Sequence, residues 1–116
     1  MILGLSILLF SIAALLGIYL ISFVLTNRNT PKAIAFIHGP VAAGGLILLI
    51  IYAALYKPAP IWSIILFTFA ALGGFILIFK DLTGKKIPKS LALGHGTIAI
   101  ISFILLLLFA YHQFNS

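Results

Sequence analysis

The sequence predicts an all-α integral membrane protein, a four-helix bundle built from two tandem helical hairpins. Three observations carry that expectation. The chain is 64% hydrophobic and only 7% charged over 116 residues, whereas a soluble domain of this size covers itself with far more polar surface. Its apolar residues fall into four runs, each near the ~20 residues that cross a bilayer as a helix. The second half also repeats the first: residues 7–56 slide onto 64–113 without a gap, with 21 of 50 positions identical. A repeat at fixed spacing marks a duplicated supersecondary unit.

The spans read as helices, because an isolated strand in lipid leaves its backbone polar groups unpaired. The first covers residues 2–25. It has no basic leading region and is too long for the apolar segment of a secretory leader, so it is read as a structural span. The polar loop Thr26-Asn27-Arg28-Asn29-Thr30 follows. Pro31 then opens the second span, residues 31–56, near the first helical position where proline is tolerated. Lys57-Pro58-Ala59-Pro60 is a stiff turn, and the third span takes residues 61–79. A second polar loop over 80–87 carries Asp81, Gly84, Lys85 and Lys86. Pro88 opens the fourth span, residues 88–111, and residues 112–116 read as a short polar tail.

The whole chain is thus one transmembrane domain, with repeat 1 over 1–57 and repeat 2 over 58–116. A unit of two spans returns to the side it started from. Both copies therefore enter from the same face, related by a pseudo-two-fold axis along the membrane normal. Arg28, Lys32, Lys80, Lys85, Lys86 and Lys89 flank the loops between spans one and two and between spans three and four, while Lys57 stands alone on the opposite side. By the positive-inside rule those two loops are cytoplasmic and both termini extracytoplasmic. Tyr52, Tyr56, Trp62 and Tyr111 lie near the outer ends of their spans, as an interfacial aromatic belt should. The net charge of +6 sits in short loops, so it reads as an orientation signal and not as a nucleic-acid surface. There is no cysteine, which excludes disulfides, thiolate metal sites, iron–sulfur clusters and thioether-linked heme.

One motif occurs in both copies: Pro31-Lys32-Ala33-Ile34-Ala35-Phe36-Ile37-His38-Gly39 and, 57 positions on, Pro88-Lys89-Ser90-Leu91-Ala92-Leu93-Gly94-His95-Gly96. Each histidine lies seven residues beyond its proline, about 10 Å along a helix. The two spans run in the same direction, so His38 and His95 stand at the same depth. Small residues share their helix faces: Ala35, Ala42 and Gly45 around His38, and Ala92, Ala99 and Ser102 around His95. Gly39 and Gly96 add room. Ala13, Ala14 and Gly17 on the first span, with Ala70, Ala71, Gly73 and Gly74 on the third, lie at similar depth. Small residues in lipid often mean close helix packing. Level with two imidazoles, they also leave space for a flat cofactor.

Heme b, one per chain, is the expected cofactor. Two opposed imidazoles from His38 and His95 would ligate its iron axially. Lys32 and Lys89, snorkelling toward the interface, would meet its anionic propionates. The alternative is that each histidine simply hydrogen-bonds across helices. Zinc is disfavoured, because two histidines without a nearby carboxylate or thiolate leave its shell incomplete. His112 lies 17 residues beyond His95, and its repeat equivalent is Leu55, so it reads as interfacial. Asp81, the one acidic residue, reads as local charge balance with Lys80 or Lys85. Tyr19 reads as packing.

Four spans and the paired His38 and His95 resemble small four-helix membrane b-type cytochromes, the cytochrome b561-like proteins. Members of that group carry two histidine pairs and two hemes, whereas this chain has one pair. The resemblance implies electron transfer with a quinone or a redox protein as partner, rather than a stand-alone enzyme. In size the chain is also similar to small multidrug-resistance transporters. Their exchange chemistry needs an acidic residue in the first span, and residues 1–79 contain neither Asp nor Glu. Two alternatives remain: a cofactor-free membrane protein, whether a small transporter of another kind or a scaffold or assembly subunit, and a protein that traffics or senses heme. Homo-oligomerisation is left open by the sequence.

Overall fold

A computed structural model describes residues 1–115. Four helices, α1 (Ile2–Leu25), α2 (Lys32–Leu55), α3 (Ile61–Leu82) and α4 (Lys89–Phe114), form an up-down-up-down bundle, and there is no strand among the described residues. All four are long and apolar enough to cross a membrane. The bundle measures 47 × 20 × 19 Å, so its long axis exceeds the ~30 Å hydrocarbon core of a bilayer. Much of its outward surface is Leu, Ile and Phe, with Leu15, Ile18, Ile47, Phe69, Phe75 and Ile104 all more than half exposed. In water such a surface would drive aggregation; against lipid it is the expected exterior. The protein is a multi-pass membrane protein.

Helix boundaries follow local chemistry. Pro31 and Pro88 both take extended backbone and act as N-caps, so α2 and α4 start one residue later than the sequence reading has them. α1 and α3 end alike. Asn27 and Gly84 have φ of 56° and 73°, the left-handed region that glycine and asparagine enter at least cost. The next amides then reach back into the helix, Arg28 N–H to the Phe23 carbonyl and Lys85 N–H to the Lys80 carbonyl, both at 2.9 Å. This is the Schellman termination, written at equivalent positions of the two repeats. Two expected ends move outward. α3 continues through Lys80 and Asp81 to Leu82, and α4 carries His112 inside its last turn. Neither stretch contains a residue that stops a helix, so polarity alone placed the expected ends too early. Ser116 of the expected tail lies outside the described residues.

Within each hairpin the helices pack closely. α1 also borders α4, and α2 borders α3, while the backbones of the diagonal pairs stay apart and meet only through side chains. Helices α2 and α4 are therefore diagonal neighbours across the bundle axis. The end of the bundle that holds both termini is solidly filled. Leu49 and Leu106, equivalent in the two repeats, are fully buried, beside Leu3, Phe10, Phe67 and Ala110. The equivalent Phe10 and Phe67 rings stack across the axis with centroids 3.9 Å apart and planes 3° from parallel. Gly45 makes this possible, since a Cβ there would come 3.2 Å from the Phe10 ring. Its carbonyl accepts the Ser6 hydroxyl at 2.8 Å. Beyond the phenylalanine pair, toward the basic loops, small residues replace large ones and the bundle opens.

Candidate functional site

His38 and His95 enter this opening from diagonal helices. The His38 Nδ1 lies 2.9 Å from the Ala13 carbonyl oxygen of α1, and the His95 Nδ1 lies 2.7 Å from the Ala70 carbonyl oxygen of α3. A carbonyl only accepts, so in both rings Nδ1 carries the hydrogen and donates it. In a neutral ring this leaves the Nε2 lone pair available. Neither Nε2 has a hydrogen-bond partner among the described residues. The same arrangement, one ring nitrogen pinned by a backbone carbonyl and the other presented, orients metal-binding imidazoles.

Glycine sets the approach of each ring. A Cβ on Gly17 would come 3.0 Å from His38 Cε1, and one on Gly74 would come 3.3 Å from His95 Cε1. Both glycines let the imidazole lie against a neighbouring helix backbone, within reach of a carbonyl one turn away. The two rings are themselves close, with centroids 6.3 Å apart and planes at 82°. A metal–imidazole bond of about 2 Å puts two rings that grip one ion from opposite sides at a centroid separation of about 6 Å. The observed centroid spacing matches that separation.

Around the histidines lies a cavity of about 780 Å³ with an apolar wall, within the ~300–1,000 Å³ usual for cofactor sites. Phe10 and Phe67 form part of its wall at the filled end. Most of the small residues singled out beside the histidines line it: Ala35, Gly39 and Ala42 on α2, and Ala92, Gly96 and Ala99 on α4. Gly45 and Ser102 do not: both are buried in the bundle, Gly45 against the Phe10 ring, and Gly73 is not part of the wall either. Ala13, Ala14, Gly17, Ala70, Ala71 and Gly74 also line the cavity, beside larger side chains such as Ile21, Leu46, Ile78 and Phe103. Pro40, inside α2, also lines it. Proline has no N–H, so the Phe36 carbonyl loses the helical partner it would otherwise have. The equivalent of Pro40 is Thr97, so this is one place where the repeats diverge.

The lysines behave differently from one another. Neither Lys32 nor Lys89 lines the cavity; each opens its helix about one turn before the wall residues Ala35 and Ala92. Lys32 forms an ion pair with Asp81 and donates to the Thr30 hydroxyl at 2.9 Å, while Thr30 donates to Asp81 at 2.6 Å. This corrects the expected pairing of Asp81 with Lys80 or Lys85. The carboxylate reaches across to the other hairpin, where Thr30 is buried and Lys32 can meet it. Spacing along one helix carries no information about a partner 49 residues away. Lys89 has no ion-pair or hydrogen-bond partner among the described residues. His112 is exposed at the opposite end, its ring 5.9 Å from that of Tyr111.

The described residues contain no group of three or more His, Cys, Asp or Glu able to hold a metal ion. Two histidines alone do not make up the four-ligand shell of a protein-only metal site. Among the residues that sequence reading did not place in the site are Phe10 and Phe67 in the wall and Thr30 and Asp81 at the mouth. The first two were marked by repeat identity; the last two carried no such mark. The chain matches no family model, and neither curated proteins nor solved structures show significant similarity to it.

Proposed function

We propose that this protein is a membrane b-type cytochrome that holds one heme between His38 and His95. One observation supports the reading above the rest. Two imidazoles from diagonal helices share one apolar cavity, each pinned through Nδ1 and each presenting Nε2, with centroids 6.3 Å apart. When bound, such a heme supplies one-electron exchange between ferric and ferrous iron. The chain's own residues do the rest. The Ala13 and Ala70 carbonyls hold the tautomer and raise the basicity of the ligating nitrogens. The alanine and glycine wall leaves room for a flat ring and keeps water out. If His38 and His95 both held the iron, no position would remain for oxygen, and the group would supply electron transfer. The basic loops orient the site toward the cytoplasm by the positive-inside rule. A site near one face needs a quinone or a redox protein as its exchange partner.

A cofactor-free role has one observation in its favour. The Nδ1 bonds themselves tie α2 to α1 and α4 to α3, which is what a purely structural membrane histidine does. An absorption spectrum separates the two. Protein expressed with ample heme is expected to show a Soret band and sharp reduced α and β bands. His38→Ala and His95→Ala should each abolish that low-spin spectrum, and His112→Ala should leave it intact. Colourless wild-type protein would instead favour the scaffold or transporter reading.

A further inference from the structure

The cavity has two mouths at its basic end, and the duplication makes them comparable residue by residue. At the α2/α3 seam the wall ends in Thr30 and Asp81, with Lys32 tied to both. The equivalent positions at the α1/α4 seam are Ile87, Val24 and Lys89. Ile87 and Val24 line the cavity as Thr30 and Asp81 do. One mouth therefore holds a cation already neutralised and a carboxylate whose side chain is 11% exposed. The other has Val24 and Ile87 in place of the acid and the threonine, with Lys89 at the position equivalent to Lys32. Lys89 stands one turn before the wall residues Ala92 and Leu93, so its four-carbon stem can lie along the apolar rim with its ammonium group at the opening. Of the other cations at this end, Arg28 is engaged with the Thr26 hydroxyl and the face of Phe23, and Lys85 lies over the Phe79 ring. Lys80 and Lys86 sit at the end of α3 and in the loop, outside the cavity wall.

We infer that the site binds its cofactor in one of the two orientations the pseudo-symmetry would permit, with the propionate carboxylates at the α1/α4 mouth beside Lys89. This rests on the heme reading above and adds its polarity. An anion at the α2/α3 mouth would meet Asp81, a like charge at low exposure, and would compete with it for Lys32. At the α1/α4 mouth an anion meets an unpaired ammonium and two aliphatic side chains. The difference between Asp81 and Val24 thus breaks the symmetry of the cavity. Lys32 becomes a structural residue and Lys89 a binding one, although both occupy the same motif position.

The test titrates purified apoprotein with iron protoporphyrin IX and, separately, with its dimethyl ester, following the Soret band. For Lys89→Gln the dissociation constant for the free acid should rise about two- to five-fold, the worth of one exposed ion pair, while that for the ester stays put. Lys89→Arg should restore the wild-type value. Lys32→Gln should change the free-acid value less than Lys89→Gln does. Asp81→Asn releases Lys32, and a second set of heme-methyl signals in the paramagnetic NMR spectrum should appear. Equal weakening by the two lysine variants, or parallel loss of acid and ester in Lys89→Gln, overturns the assignment of Lys89 while leaving the cytochrome reading in place. Wild-type protein that takes up neither compound overturns both.

Discussion

At the scale of single residues, the site depends on how closely an imidazole can approach a helix. His38 and His95 reach the backbone carbonyls of Ala13 and Ala70 because Gly17 and Gly74 have no side chain there. The two glycines are not equally stringent. A methyl on Gly17 would stand 3.0 Å from His38 Cε1, against 3.3 Å from His95 Cε1 for Gly74. Cε1 lies between the two nitrogens, so displacing it moves the pinned atom and the presented one together. Gly17→Ala is therefore expected to weaken heme uptake more than Gly74→Ala, measured by Soret titration of both variants. Each substitution should also cost about 1 kcal/mol of stability where the Nδ1 bond is lost, the usual net worth of one hydrogen bond. Identical affinity in the two variants would mean that the rings tolerate a shift and that the close approach is incidental.

At the scale of elements, the helices are set by their ends and by one packed layer. The left-handed residues after α1 and α3 are Asn27 and Gly84, equivalent positions filled differently. Gly84→Ala should destabilise the protein by about 1–2 kcal/mol, because a Cβ in that conformation meets the neighbouring carbonyl. Asn27→Gly should be close to neutral. Unfolding in a graded detergent mixture would read both. The Phe10–Phe67 stack forms the layer that divides the filled half of the bundle from the hollow one. Phe10→Ala is expected to cost about 3–5 kcal/mol, since removing a buried ring leaves a void that rigid helices cannot collapse. A loss below about 1 kcal/mol would mean that the stack is not part of the core.

At the scale of the whole molecule, the two hairpins share one packed core at the filled end and are joined by little beyond it. Each hairpin is tightly packed internally, whereas the seams between hairpins border an open cavity. One ion pair and one buried threonine cross the α2/α3 seam at its basic end. A ligand held by one histidine from each hairpin would bridge them. Heme is then expected to raise the unfolding temperature of the wild type, with a stabilisation of about 2.7 kcal/mol at a hundred-fold excess over its dissociation constant. His95→Ala should lose that increment, because its second hairpin no longer holds the ligand. Thermal denaturation with and without heme, on both proteins, is the measurement. A shift of the same size in both would place the binding on one hairpin alone.

Much of this was legible in the residues themselves. Composition and run length demand membrane helices, because only a helix pairs its own backbone in lipid. The 57-residue offset puts His38 and His95 at one depth and marks Ala13, Gly17, Phe10 and their copies as equivalent. Local rules also explain Pro31, Pro88 and Gly84. What the tertiary structure alone decided is which surfaces meet. It made α2 and α4 diagonal, turned both imidazoles onto carbonyls of their partner helices, and hollowed the bundle beyond the phenylalanine stack. It also sent Asp81 across to Lys32 and Thr30, distinguishing two lysines that the repeat presents as alike. Periodicity reports the face and depth of a residue on its own helix, while the distance between two faces depends on the packing of every side chain between them.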